Sequence, residues 1–292
     1  MPSTDQSAVP AAQRMGSIFH PSDFSEGSEV AFAHALKIAL LAPADLNVLH
    51  VSEEGDRDWT AFPGVRHMLE RWHVLPPGSP PSAVPSLGIE VRKALTTSSD
   101  PVAASLAYLG RHATDLVVLA THRRNGRAMW LSKAVAEPLA RESGLMTLFV
   151  PSGVEGFVSR ADGSVSLWNV LIPVAQDPSP DAAIEAASRL ALALRCEIVT
   201  FTLLYVGAPA DMPLASFEER EGWTWRPMAT ESGDVVETIL AVANETTADL
   251  IAMSTKGHHG FLDALRGSTT ERVLRHAGCP VLAVPGGQQT SS

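Results

Sequence analysis

Residues 254–274 hold the side chains in this chain that are best suited to chemistry: three glycines, two adjacent histidines and a Gly-Ser step. Gly257, Gly260 and Gly267 would let the backbone approach a phosphate closely, because glycine lacks a Cβ and tolerates positive φ. Ser268 would add a hydroxyl, and a helix starting near Thr269 would direct unpaired N–H groups at the same anion. The pattern predicts a phosphate-binding loop.

The same segment is also typical of a plain helix cap. Ser268 to Glu271 has the spacing of a capping box, in which the serine bonds the backbone and the glutamate bonds back. Gly267 would then only permit the turn before the helix. The residues by themselves leave both interpretations open.

A metal site is not expected at this loop. Adjacent histidines such as His258 and His259 rarely face one ion, and no cysteine or carboxylate cluster stands at ligand spacing nearby. Cys196 and Cys279 are too few for a disulfide framework, and their spacing excludes a CxxC motif. Their use predicts a reducing, cytoplasmic location.

Composition argues against two classes of partner. Lys and Arg number 22 against 32 Asp and Glu, a formal net charge of -10, which is unsuited to binding the nucleic-acid backbone. No apolar run approaches the length needed for a membrane span, and the N-terminus lacks the shape of a signal peptide. One bound nucleotide stays compatible with this charge, since backbone N–H groups hold phosphate without cations.

The chain contains an internal duplication. Residues 114–151 align without a gap to residues 248–285, and the starts of the two halves also correspond. Pairs of matched residues recur along the alignment: Asp100 with Asp234, Asp115 with Asp249, Thr121 with Thr255, Gly126 with Gly260 and Pro151 with Pro285. The repeat predicts two domains, 16–151 and 167–286, joined by a Gly- and Ser-rich linker at 152–166.

Each half alternates short β-branched apolar runs with helix-period segments, so we expect strands and helices in turn. In the second half the predicted strands are 170–174, 198–206, 223–228, 250–254 and 281–284, with helices at 181–194 and 235–246. This alternation predicts an α/β fold with a parallel, doubly wound sheet. Ligand sites in such sheets lie beyond the carboxyl ends of the strands, at a topological switch point.

An insertion, residues 52–87, separates the second and third strands of the first half. Its Pro-rich end excludes one regular element, whereas 65–73 fits a short helix with Val65, Leu69 and Trp72 on one face. We expect a packed surface excursion, with a lid or a docking surface as the alternative.

Three motifs carry a resemblance to a known family. The strand end Pro21 to Ser25 (PSDFS), the strand ADLIAMS before the Gly loop, and the run GSTTERVLRHAGCPVLAVP resemble the universal stress protein family. The resemblance spans nearly all of residues 16–286 and implies a tandem member. It implies two doubly wound, Rossmann-like domains that pair through their last strands as an internal pseudo-dimer, with homodimerisation as a further option.

The family has ATP-binding members and members that do not bind ATP. In the former, Gly-x2-Gly-x9-Gly-Ser/Thr holds phosphate and an Asp after the first strand meets the nucleoside. Gly257, Gly260, Gly267 and Ser268, followed by Thr269, match that motif in kind, but six residues replace the nine. Of the two halves, only the first has the Asp, as Asp23; the second has Ala175 there and Asp177 two residues later.

Two functional hypotheses follow. The first is a stress or regulatory protein that binds ATP or another adenine nucleotide in its second domain, with a degenerate first domain. The second is a nucleotide-independent module that binds a protein partner. No catalytic triad, paired carboxylates or two-metal set is apparent in the sequence, so we expect no enzyme beyond slow ATP hydrolysis.

Overall fold

The structure is a computed structural model that describes residues 15–52, 62–124, 127–130, 135–231, 233–256 and 269–286. In the first half, the strands are β1 (Ser17–Pro21), β2 (Asp45–Ser52), β3 (Val91–Thr97), β4 (Leu116–Arg124), β5 (Arg127–Trp130) and β6 (Thr147–Pro151). The helices are α1 (Glu26–Leu41), α2 (Val65–Arg71), α3 (Pro101–Leu109) and α4 (Ala136–Ser143).

The second half repeats this order with fewer elements. Its strands are β7 (Asn169–Pro173), β8 (Val199–Val206), β9 (Trp223–Thr230), β10 (Leu250–Thr255) and β11 (Val281–Pro285). Its helices are α5 (Asp181–Ala193), α6 (Val235–Glu245) and α7 (Thr269–His276). The predicted strands and helices of this half are confirmed, with ends that differ by one or two residues.

All described strands belong to one sheet with the order β3-β2-β1-β4-β6-β11-β10-β7-β8-β9, and β5 pairs with β4 at the side. Within each half the neighbouring strands of this path run parallel. The strand order reverses between β1 and β4 in the first half and between β7 and β10 in the second. The doubly wound α/β prediction is therefore confirmed, and each half has one switch point.

The two halves join through their last strands. β6 and β11 run antiparallel, with Phe149 opposite Val281, Leu148 opposite Leu282 and Thr147 opposite Ala283. Each strand would otherwise be a bare apolar edge, which invites pairing with another chain. The predicted internal pairing of the last strands is thus confirmed.

The strands are buried on both faces because helices cover the sheet on each side. In β1, Ile18 faces the core beneath α1, α2 and α5, while its neighbour Phe19 faces the core beneath α3, α4, α6 and α7. β4 alternates in the same way, with Val118 on the first face and Val117 on the second. This accounts for the continuous apolar runs in the sequence.

The segment between the halves is packed. Phe157 and Val158 are fully buried, and Val158 forms a β-bridge with Val165. The Val158 N–H donates to Nε2 of the buried His34 on α1 (3.3 Å), and Phe157 meets the His34 ring edge-on. The sequence predicted a Gly- and Ser-rich linker at 152–166, and the structure adds that two apolar side chains anchor this segment to α1.

The described part of the excursion is also packed, as expected. Helix α2 forms within the predicted range, and Val65, Leu69 and Trp72 are buried against α1. The Trp72 Nε1–H donates to the Arg160 carbonyl oxygen (3.2 Å), which ties the excursion to the segment between the halves. Residues 53–61 of the excursion lie outside the described residues.

Candidate functional site

The two switch points lie at opposite edges of the sheet. The carboxyl ends of the first-half strands all lie on one side of the sheet. Because β6 and β11 run antiparallel, the carboxyl ends of the second-half strands lie on the opposite side. Asp23, which follows β1, and Lys256, which follows β10, therefore belong to different crevices. The structure does not bring Asp23 together with the end of β10, where the Gly loop begins.

At the second switch point an ion pair joins the segments that follow β7 and β10. Lys256 Nζ lies 2.6 Å from Asp177 Oδ2, and both side chains are largely exposed, at 51% and 72%. Asp177 is the carboxylate two residues beyond Ala175, where the family motif has its aspartate. The pair places one cation and one carboxylate at the mouth of this crevice.

The end of β10 is fixed to the elements around it. Ser254 Oγ accepts the backbone N–H of Ala183 (3.1 Å) in the first turn of α5, which has no side-chain cap of its own. The Gly286 N–H donates to the Thr255 carbonyl oxygen (2.6 Å). The loop that follows Lys256 therefore leaves from an anchored strand end.

The glycines and serine of the predicted phosphate loop, Gly257, Gly260, Gly267 and Ser268, lie outside the described residues. Thr269 is described and is the exposed first residue of α7. Whether Ser268 caps this helix stays a prediction, as does phosphate binding by the loop.

Helix α7 carries two ion pairs within reach of its first turns. Glu271 is buried and bonds to Arg275 one turn later, so its charge is partly balanced. Arg272 binds Asp234, which caps α6, through two contacts of 3.0 and 3.3 Å. These bonds fix the orientation of α7 against α6. The negative charge of Glu271 that would disfavour a phosphate near the helix start is met by an arginine.

In the first half Asp23 organises a helix start. Its Oδ1 accepts the Ser25 N–H (3.0 Å) and the Ser25 Oγ–H (2.6 Å). Ser25 is the N-cap of α1 and accepts the Ser28 N–H (3.2 Å). Asp23 itself is exposed. A nucleoside bound to this carboxylate would have to displace Ser25 or share the carboxylate with it.

In the first half, the described residues of the segment that aligns with the Gly loop belong to two antiparallel strands. β4 continues to Arg124, and β5 returns antiparallel from Arg127 to Trp130. The helix that follows, α4, starts one aligned position later than α7. Pro138 then falls in its first turn, where a missing N–H breaks no helix bond. The described backbone here is extended strand, whereas the aligned sequence of the second half contains the glycines of the predicted phosphate loop.

An aromatic cluster, Phe24, His50 and Phe62, lies beside the end of β1. Phe24 has a positive φ of 62° and stacks on His50 with a centroid distance of 3.9 Å, and Phe62 meets Phe24 edge-on at 5.1 Å. His50 Nδ1 bonds to the Ser22 carbonyl oxygen (2.7 Å). These rings pack on one another beside the carboxyl ends of β1 and β2.

Other titratable candidates are buried or partly buried and have a structural role. Burial lowers the pKa of His20 to about 4, so this histidine is neutral, and its Nδ1 bonds to the Val118 carbonyl oxygen (2.9 Å). Burial raises the pKa of the Cys279 thiol to about 12 and that of Cys196 to about 11, which disfavours the reactive thiolate. Cys279 is therefore a packed core residue.

No group of three or more His, Cys, Asp or Glu side chains with metal-site geometry occurs among the described residues. His258 and His259 fall outside them. Within the described ranges, every helix is too short or too polar to cross a bilayer.

Two features of the site were missed from the sequence. Lys256 and Asp177 lie 79 positions apart, and the residues around each of them form no recognisable motif. Their pairing becomes visible only once the structure shows that β7 and β10 are neighbours. The stack of Phe24 on His50 depends on a left-handed φ that sequence patterns rarely signal for phenylalanine.

Comparison with known proteins agrees with this architecture. The model of the universal stress protein family matches residues 15–151 and 168–285. A stretch of 55 residues is 46% identical to Universal stress protein A homolog 1 of Coxiella burnetii (strain RSA 493 / Nine Mile phase I), covering 19% of this chain and 38% of that protein. The match therefore spans well under half of this relative's length.

Two solved structures share the fold along almost the whole chain. A universal stress protein from Archaeoglobus fulgidus DSM 4304 superposes with a TM-score of 0.62 at 19% identity, covering 93% of this chain and 98% of that one. A functionally unknown protein from Pseudomonas aeruginosa PAO1 superposes with a TM-score of 0.59 at 14% identity, covering 95% of each chain. At these identities the likeness concerns the fold alone.

Proposed function

The chain belongs to the universal stress protein family, and from this premise we propose that its second domain, residues 167–286, binds ATP or another adenine nucleotide. In this proposal the protein is a cytoplasmic stress-response regulator, and the first domain, residues 16–151, is a structural partner without a nucleotide. The segment 152–166 connects the two. Phosphate contacts come from Gly257, Gly260, Gly267, Ser268 and Thr269.

One observation carries the proposal: the exposed cation of Lys256 stands at the switch point of the second half, directly before the Gly loop. Switch-point crevices are where doubly wound sheets bind ligands. An ammonium at that point can meet a phosphate oxygen, and the anchored end of β10 supports the loop. A triphosphate would exchange the carboxylate of Asp177 for its own oxygens around Lys256.

The first half supports the proposal by contrast. The described residues of its aligned segment belong to the antiparallel strands β4 and β5, and Phe24, His50 and Phe62 pack on one another beside β1. Asp23 is engaged in the start of α1. A nucleotide there would have to displace packed aromatic rings and would lack a glycine loop.

The test compares equivalent glycines in the two halves. Titration calorimetry of the full chain with ATP and magnesium should show one nucleotide bound per chain. Gly260→Val adds a branched side chain inside the loop and should weaken binding by about tenfold or more, whereas Gly126→Val, at the matched position of the first half, should keep it. Absence of ATP heat at millimolar nucleotide, with and without magnesium, would overturn the proposal.

The alternative, a nucleotide-independent module that binds a protein, is motivated by the incomplete Asp and Gly sets, and would use the sheet scaffold and the 52–87 excursion as its binding surface. In the described residues this excursion is built into the core through Val65, Leu69 and Trp72. Its removal would expose α1, so loss of a partner after deletion would not distinguish binding from unfolding. The packing favours a structural role for the excursion, and we retain nucleotide binding as the proposal.

A further inference from the structure

A cavity of about 570 Å³ lies between α2, the 3-10 turns Pro81–Ala83 and Pro85–Leu87, and the edge strand β3. We refer to it as the α2–β3 cavity. Its volume falls in the range of small-molecule sites, roughly 300 to 1,000 Å³. It lies in the first half, so it is separate from the second-half crevice to which we assign the nucleotide.

The walls of the α2–β3 cavity are largely apolar. Val65 of α2 and Val84 between the turns are buried, and Val91 of β3 is partly buried against the same core. Proline rings of Pro81 and Pro85 complete the lining. Such walls favour a hydrocarbon body in any occupant, because water gains little by wetting them.

Lys93 lines the same cavity and has an unbalanced charge. Its ammonium lies over the Phe62 ring, 5.7 Å from the centroid, and partial burial lowers its pKa. Among the described residues no carboxylate forms an ion pair with it. The Lys93 side chain is exposed, so an anion that enters the cavity from solvent can reach its ammonium and form a charge-assisted hydrogen bond.

Arg66 adds a second donor on the wall contributed by α2. Its Nε is buried and has no hydrogen-bond partner in the described structure. Arg66 forms an i,i+4 ion pair with Glu70, whose Oε1 lies 3.7 Å from this Nε and also accepts the Ser79 N–H. Buried donors are rarely left unpaired, so this one also indicates a missing acceptor.

The acidic residue on this lining is already neutralised. Glu90 receives two hydrogen bonds from Arg92, at 2.9 and 3.0 Å, and these lower the pKa of its carboxyl group. Its charge is directed to Arg92. Lys93 is therefore the cation on this lining that no described carboxylate pairs with, while Arg66 keeps a buried Nε–H without a hydrogen bond beside its ion pair with Glu70.

We propose that the α2–β3 cavity binds a small organic monocarboxylate, with its carboxylate held by Lys93 and Arg66 and its apolar body against Val65, Val84 and Val91. The two cations account for the anionic head and the valines for the tail. The ligand class follows from these walls and charges and is independent of nucleotide binding in the second half.

Sodium octanoate is a suitable probe, with 1-octanol as its uncharged comparison. Titration calorimetry of the full chain should show octanoate binding and much weaker octanol binding. Lys93→Met, which keeps length and removes charge, should weaken octanoate binding by about tenfold, and Arg66→Met should weaken it as well. Lys37→Met is the matched control, because Lys37 is also partly buried over a ring, that of Trp72, but does not line the cavity.

Three outcomes would overturn the proposal: no octanoate heat at millimolar ligand, equal affinity for octanol, or full affinity in Lys93→Met. If Lys93→Met fails to fold, NMR of the wild-type protein with ¹³C-methylated lysines decides the question. Octanoate must then shift the Lys93 methyl resonance and leave that of Lys37 in place. ATP binding, measured in parallel, should be unaffected by Lys93→Met, which separates this site from the nucleotide site.

Discussion

Asp115 and Asp249 occupy equivalent positions in the two halves and perform the same task. Asp115 Oδ2 accepts the N–H groups of Gly16 and Ser17, and Asp249 Oδ2 accepts those of Trp168 and Asn169, all within 3.0 Å. Each carboxylate thereby joins the start of one strand to the start of its neighbour. Acidic residues that recur in both halves thus hold backbone, and residues that differ between the halves are better candidates for function.

Lys256 and Asp177 are such residues, and their charges predict opposite effects on ATP. Lys256→Gln removes a cation near the phosphates and should weaken ATP binding about fivefold, the effect of one exposed charge contact. Asp177→Asn frees Lys256 from a competing carboxylate and should strengthen binding. Titration calorimetry at two salt concentrations measures both. Weaker binding in Asp177→Asn would instead make Asp177 a direct ligand of the nucleoside.

Buried histidines make stability depend on pH. Burial lowers the pKa of His34 to about 4, as it does for His20. The unfolded chain therefore takes up protons near pH 6.5 that the folded chain refuses, and stability falls as the pH drops below that value. Each histidine should cost roughly 2 kcal/mol of unfolding free energy between pH 7 and pH 5.

His34→Gln tests this in urea unfolding at the two pH values. Between pH 7 and pH 5 the variant should lose less unfolding free energy than the wild-type protein, and the difference should equal the contribution of one histidine, roughly 2 kcal/mol. His67→Gln, at an exposed position, serves as the comparison. An unchanged pH slope in His34→Gln would contradict the prediction.

At the scale of elements, the packed segment between the halves depends on glycines that admit no side chain. An added Cβ at Gly156 would lie 2.5 Å from His34 Nε2, and one at Gly163 would lie 2.5 Å from Trp72 Cδ2. Both have positive φ, as does Gly153, where nothing lies within 4 Å. Gly153→Ala should therefore cost only the left-handed conformation, about 1 kcal/mol.

Gly156→Ala and Gly163→Ala should cost about 2 kcal/mol more than Gly153→Ala, because His34 or Trp72 must also move. Urea midpoints of the three variants measure the difference. Equal midpoints would mean that this segment does not press on α1 and α2 in solution.

Element types followed from local patterns, whereas several tertiary roles did not. Local signals were enough to predict the order of the elements. They include the apolar runs of β7, β8, β10 and β11, and Asp100 and Asp234, which cap α3 and α6. The packing of Phe157 depends on a groove formed elsewhere in the chain. The antiparallel pairing of β4 with β5 likewise depends on contacts that the alignment of the two halves does not show. For the candidate site, the sequence placed Asp23 directly after the first strand, but its bonds to Ser25 and the pairing of Lys256 with Asp177 became visible only in the structure.

At the scale of the whole molecule, the antiparallel contact of β6 with β11 makes one sheet of two repeated halves. It also turns their crevices to opposite edges, so neither half can complete the other's site. The core beneath α1 and α5 is continuous across the contact, since Leu148, Leu282 and Phe157 belong to one cluster. The halves therefore share one core, while their two switch points face away from each other.

This continuity predicts that the halves unfold together. Leu148 of β6 is fully buried beside Leu282, and Leu148→Ala should cost about 3 kcal/mol. If the sheet is one cooperative unit, hydrogen exchange followed by mass spectrometry should show the same loss of protection in β4 and in β10. Leu214→Ala is the matched control, because Leu214 is fully exposed and its truncation should change neither strand. If the halves unfold independently, Leu148→Ala should lower protection in β4 and leave β10 unchanged, because the stability of β10 would not depend on β6. The shared core would then hold the two halves together without making their unfolding cooperative.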